Sequence, residues 1–183
     1  MSDKSLEYFF NNTVKDSTHD AIVCINVVHS EIHDGHGFYI EGHTTLANDG
    51  VYRVKLVTSN TTAWMRLRWG ISSSGILETT LHENASGGMA DGSAITPLNS
   101  DRNSTNESLV VITAGVTAAT TAGTLISNAK WGAAGFKTTI GGGDARQDEI
   151  IMKQGTTYLR TFISSADLNI VQFRAVWVEH ANM

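Results

Sequence analysis

Proline is almost missing from this chain: Pro97 is the only one in 183 residues. That excludes collagen-like and polyproline architectures. Cysteine is equally scarce. Cys24 alone cannot form an intramolecular bridge, so a disulfide framework is excluded and folding in a reducing compartment is permitted. Charge is thin as well, 17% of residues with a net of −5, which argues against non-specific nucleic-acid binding. No apolar run approaches the ~20 residues that span a bilayer, so no membrane contact is expected. The N-terminus has no basic stretch followed by an apolar one, and synthesis without secretion, in a cytoplasm, is the expectation. Repeats of 20–50 residues are lacking, which excludes solenoids and propellers. No segment keeps a 3.6-residue period over three turns.

Serine and threonine fill this space. There are 16 and 21 of them, about a fifth of the chain, and threonine suits a pleated surface while serine suits turns. The length predicts one domain, and a chain of this size buries enough surface to need no staple. From Ala21 onward the dominant period is two. Tyr52, Val54 and Leu56 alternate with Arg53 and Lys55. Met65, Leu67, Trp69 and Ile71 alternate with Arg66 and Arg68, and Val171, Phe173, Ala175 and Trp177 with Gln172 and Arg174. Such alternation gives each strand one core face and one outer face. Further strands are predicted at 37–46, 76–82, 108–114, 123–127 and 157–164, with a weaker one at 149–153. Residues 21–28, around a buried Cys24, also read as strand.

Turn clusters separate these runs, and Asn48-Asp49-Gly50 carries the best hairpin signal. Two stretches do not read as strand: the long loop 84–105 and the small-residue segment 115–124. Eight to ten short strands at this spacing predict an all-β, single-domain β-sandwich of the jelly-roll type. Residues 1–20 are expected to form an N-terminal arm, with the sandwich spanning 21–183. Tyr8, Phe9 and Phe10 on that polar arm are either a docking element buried on assembly or pack back on their own sandwich.

Chemistry is sparsely signalled. Four of the seven histidines fall within 29–43, and His29, Glu31, His33 and His36 offer metal-ligating types as in a cupin. The spacing departs from the cupin pattern, since two residues separate His33 from His36. A second cupin motif would need Pro-x-Gly-x-x-His, and the only proline is followed by Leu98-Asn99-Ser100. No Gly-x-Ser-x-Gly elbow and no phosphate-binding loop occur, Gly141-Gly142-Gly143-Asp144 lacking the required Gly-Lys-Ser/Thr. Glu78, Asp101, Asp148 and Glu149 are scattered carboxylates with no pairing evident in the sequence. The expectation is no enzyme, no metal and no cofactor.

One pattern is more informative. Ile32-His33-Asp34-Gly35-His36-Gly37-Phe38, then Thr96-Pro97-Leu98-Asn99-Ser100-Asp101-Arg102-Asn103-Ser104, follow in order. Gly123-Thr124-Leu125, Gly142-Gly143 with Arg146, Glu149 ahead of Lys153, Gly155-Thr156-Thr157-Tyr158-Leu159 and Val176-Trp177-Val178-Glu179-His180 complete the series. In order and spacing this resembles a family of small all-β virion structural proteins of tailed bacteriophages. Val178 stands where that family has an aromatic. The likeness is dense over 95–180, touches 32–38 and does not extend to the arm. It implies a particle-building role: a capsid decoration (cement) protein on the capsid surface, a homotrimer, with the major capsid protein as partner. The alternative placement is a tail, collar or fibre-associated host-binding module, with the 84–105 loop on the receptor. A cupin-like metalloenzyme is the reading from another class. Candidate interface residues are Tyr8, Phe9, Phe10, Asn99, Arg102 and Asn103. Trp177 reads as core.

Overall fold

The computed structural model describes residues 27–61, 63–132, 140–142 and 149–181. The arm with Tyr8, Phe9 and Phe10, the Cys24 run up to residue 26, Gly143, Asp144, Arg146 and Asp148 lie outside the described residues. Within them the chain is a sandwich of two antiparallel six-stranded sheets and a small two-stranded ribbon. The strands are β1 (Gly37–Leu46), β2 (Val51–Val57), β3 (Ala63–Ser73), β4 (Leu77–Glu83), β5 (Ser86–Gly88), β6 (Ser93–Ile95) and β7 (Leu98–Asn99). They continue with β8 (Val111–Ala114), β9 (Ala119–Thr121), β10 (Thr124–Trp131), β11 (Ile140–Gly142), β12 (Ile150–Met152), β13 (Thr157–Ser164) and β14 (Asn169–Ala181).

One sheet runs β11-β3-β14-β1-β7, with β12 also on β3; the other runs β10-β4-β13-β2-β8-β6. The first four strands, β1 to β4, therefore alternate between sheets. The pairing is nested: β1 lies on β14, β2 on β13, β3 on β12 and β4 on β10. Two further ladders, β14 on β3 and β13 on β4, join the nested pairs within each sheet.

The two-residue period explains the core. Val171, Phe173, Ala175 and Trp177 are buried and Gln172 and Arg174 exposed; Val54 and Leu56, and Met65, Leu67 and Ile71, are buried likewise. Both sheets contribute to this one cluster. Phe162 of one sheet stacks on Phe173 of the other with centroids 5.4 Å apart, and Tyr52 and Trp69 pack around the pair. The inward-facing position 42 of β1, opposite Phe173, is a glycine because of that ring: a Cβ there would lie 2.7 Å from Phe173 Cζ.

Several expectations need correction. Residues 27–28 do not continue a strand: Val27–His33 is a helix, α1. Gly35, with φ +76°, ends it. The His36 N–H bonds the Glu31 carbonyl at 2.8 Å and the Gly35 N–H bonds that of Ile32 at 3.0 Å, a Schellman closure whose left-handed residue is favoured as glycine. Asn48-Asp49-Gly50 does form a tight turn, the Gly50 N–H reaching the Ala47 carbonyl at 2.9 Å. It is not a hairpin, because β1 and β2 belong to opposite sheets. The two stretches set aside as loops supply β5, β6, β7 and β9, and β5 pairs with β9. That ribbon lies against the outer side of the second sheet, where Ala85, Met89 and Val116 cover Leu159. The strand expected at 108–114 begins only at Val111. Its first residues, Ser108 and Leu109, bond the Glu179 carboxylate instead.

Candidate functional site

Three separated stretches of sequence, 32–38, 96–104 and 176–180, meet at one corner of the sandwich. The Asn99 side-chain amide donates to the Gly35 carbonyl at 2.8 Å and to the Asn106 carbonyl at 3.1 Å. The Ser100 N–H donates to the Gly37 carbonyl at 2.8 Å, and the Glu179 N–H to the His36 carbonyl at 2.9 Å. Phe38 and Trp177 pack ring to ring at 6.2 Å. Gly35 is fitted tightly here, since a Cβ on it would stand 2.2 Å from Ser104 Oγ.

Glu179 is the centre of this corner. It is 8% exposed, and its carboxylate accepts hydrogen bonds from the Trp177 indole (2.8 Å), the Leu109 N–H (2.9 Å) and the Ser108 hydroxyl. A buried carboxylate with three donors is satisfied without a cation. It also explains the late start of β8, because Ser108 and Leu109 are bound to Glu179 rather than to a neighbouring strand.

The 99–106 loop bonds largely to itself. Asn99 Oδ1 accepts the Asp101 N–H and Asp101 Oδ1 the Asn103 N–H, both at 2.9 Å, and Ser104 Oγ accepts the Asn106 N–H at 3.1 Å. These are Asx- and Ser-type turns. Among the expected interface residues, Asn99 is buried and holds the loop, whereas Arg102 and Asn103 are exposed at its tip. Beside this corner is a shallow cleft, partly open to solvent. It is bordered by Ile32 of α1, by Arg66 and Arg68 of β3, and by Glu149. Arg66 pairs with Glu149 at 2.8 Å.

The histidine window does not share one face. His33 ends α1, His36 is in the turn and His43 is on β1. The alternation of a strand therefore governs only its last part. His36 Nδ1 is 2.9 Å from Glu31 Oε2. No group of three or more His, Cys, Asp or Glu suited to a metal occurs among the described residues. Of the scattered carboxylates, Asp101 caps its own loop, Glu149 pairs with Arg66, and Glu78 faces the outer side of β4. They do not converge.

Two ionisable clusters lie outside the residues singled out from the sequence. In the first, the Tyr158 hydroxyl accepts the Lys153 N–H at 2.7 Å and donates to Glu83 Oε2 at 3.0 Å, while the Lys153 ammonium pairs with Glu83 Oε1. The Lys153 hydrogen bond, helped by Tyr158, holds the Glu83 carboxyl below the usual range against a desolvation penalty. Desolvation first, then Glu83, pushes the Tyr158 hydroxyl up to about 12. The second cluster surrounds Arg160, an inward-facing residue of β13 that is 4% exposed. Its guanidinium donates to Thr79 Oγ1 at 3.0 Å and lies 5.6 Å above the Trp69 ring.

No family model, no curated protein and no solved structure matches the chain.

Proposed function

We propose that this chain is a virion structural protein of a tailed bacteriophage, and within that class a capsid decoration protein. The observation that carries the reading is the convergence at one corner. The stretches 32–38, 96–104 and 176–180 resemble the phage family in sequence order, and they are bonded to one another through Asn99, Ser100 and Glu179. Three of the seven resembling stretches, far apart in the chain, thus form one hydrogen-bonded unit, which supports the reading. The nested pairing of β1–β4 with β14, β13, β12 and β10 supports the finer assignment of the sandwich as a jelly roll, a long antiparallel ribbon wrapped into two sheets.

In this role no residue performs chemistry. Many copies, as homotrimers on the outer capsid surface, bind the major capsid protein in its assembled lattice and not its dissociated form. The shell is stabilised by mass action, and multivalent contact adds to it. Arg102 and Asn103 at the loop tip, with Tyr8, Phe9 and Phe10 of the arm, are the proposed contacts. Purified heads stripped of tails test the placement. Retention of this chain in stoichiometric amounts supports decoration; its loss with the tail fraction places it at the tail, collar or fibre instead.

A further inference from the structure

Arg160 is hard to explain as packing alone. Its neighbours in the inward row of β13, Tyr158 and Phe162, are fully buried, and the ring of Phe162 lies 6.0 Å from the guanidinium. Among the described residues no carboxylate pairs with it. Taking a guanidinium out of water costs several kcal/mol unless charge or hydrogen bonds compensate. The Thr79 hydroxyl and two aromatic faces offset part of that. Yet Arg160 Nε and Trp69 Nε1 are both buried without a hydrogen-bond partner. Two idle N–H donors beside an uncompensated cation are an arrangement that accepts negative charge.

The surroundings provide a way in. Arg160 stands opposite Leu81 on β4, and Leu81 opposite Ser127 on β10, the edge strand of that sheet. Leu77 and Leu81 on β4 are fully buried, whereas the inward positions of β10, Ser127 and Ala129, are only half-buried. The guanidinium reaches from β13 toward this flank through Thr79, itself opposite Ala129. Trp69 is also half-buried. The sheet is thus less covered at β10 than at β4, beside a buried guanidinium that has no carboxylate partner among the described residues.

We propose that Arg160 is the charge partner of a small anion-binding site inside the sandwich, entered along β10 and bordered by Trp69. The ligand class is a small carboxylate or inorganic oxyanion. At 4% exposure the guanidinium suits an ion of a few atoms rather than the side chain of a docking protein. The desolvation that lowers the Arg160 pKa to about 10 leaves it charged at neutral pH, as the site requires.

The test titrates sodium acetate and sodium phosphate separately, at fixed pH, against the melting temperature of the full chain and of Arg160→Met and Arg160→Lys. Salt effects on the whole surface are common to all three. A saturable rise of about 2–4 °C in the wild type, reduced in Arg160→Lys and absent in Arg160→Met, supports the site. Whether acetate or phosphate saturates first separates the carboxylate from the inorganic source. Parallel curves for wild type and Arg160→Met overturn the proposal. Should Arg160→Met fail to fold, crystals of the wild type soaked in bromide decide it. An anomalous peak in hydrogen-bonding range of Arg160 Nε supports the site, and its absence at high occupancy elsewhere overturns it. Iodide quenching of tryptophan fluorescence, read against neutral acrylamide and with Trp69→Phe to assign the signal, gives an independent readout. Iodide preference at Trp69 is expected, and equal quenching by both agents opposes the proposal.

Discussion

Trp177 packs its ring on Phe38 and gives its indole N–H to Glu179, so one side chain serves the apolar core and the polar corner together. Trp177→Ala is expected to lower stability by about 3–5 kcal/mol, and Trp177→Phe by less, since it keeps the ring contact and loses only the donor. Urea denaturation of the two variants checks the order. At the other end of the residue scale, Glu83 ionises more readily in the folded chain than in the unfolded one because of Lys153 and Tyr158. Its contribution is therefore fully present above the unfolded carboxylate pKa and is lost as pH falls through the lower folded value. Glu83→Gln should flatten the acid limb of the melting temperature against pH. Tyr158 works in the opposite sense: with a folded pKa of about 12 against an ordinary 10, its contribution fades as pH rises above 10. The core position of Trp177 was readable from alternation with Gln172 and Arg174. Arg160 carried a readable signal too, since it takes the inward phase between Tyr158 and Phe162, where an apolar residue belongs. Glu179 carried none, because its donors come from residues 108, 109 and 177, and only the fold brings these together.

At the scale of elements, a period of two says which way each side chain faces but not which strand lies alongside. The ranges of β1 and β13 were readable to the residue for the first reason. The Asn48-Asp49-Gly50 turn was misassigned for the second: a tight turn closes a hairpin or crosses between sheets with the same residues. Strands β5, β6, β7, β9 and β11, each two or three residues long, are too short for any period to register. Helix α1 has seven residues, and without three turns it shows no 3.6 period; its readable sign was Gly35, placed to close it. Gly35→Ala forces a Cβ into a left-handed conformation against Ser104. It should cost at least about 1–2 kcal/mol, more than Gly35→Asn relative to its size, as thermal denaturation would show. For the arm, deletion of residues 1–20 is expected to leave a cooperatively folded sandwich with weaker binding to heads. A deletion product lacking a sharp melting transition would assign those residues to the core instead.

For the whole molecule, the proposed decoration role makes a quantitative demand. If the chain binds only the assembled shell, the temperature at which heads lose their contents should climb with the logarithm of its free concentration once sites are filling. Arg102→Ala is expected to shift that curve to higher concentration without changing the melting temperature of the isolated chain, because Arg102 is exposed at a loop whose own bonds do not use its side chain.

The nested ladder also governs how the molecule comes into being. Strand β14 lies between β1 and β3, so the strand nearest the C-terminus is central to its sheet and carries Trp177 and Phe173 into the core. Nearly every strong contact joins residues far apart along the chain, which makes folding slow relative to a helical protein of this size. During synthesis, β1, β2 and β3 emerge with their apolar faces uncovered and must wait for β13 and β14, made much later along the chain. A chain halted before Asn169 should remain open to protease, and release of the remaining strand should bring protection in a single step. Under the proposed role, incomplete copies would then have no folded surface with which to occupy a lattice site, and only folded molecules would compete for the shell.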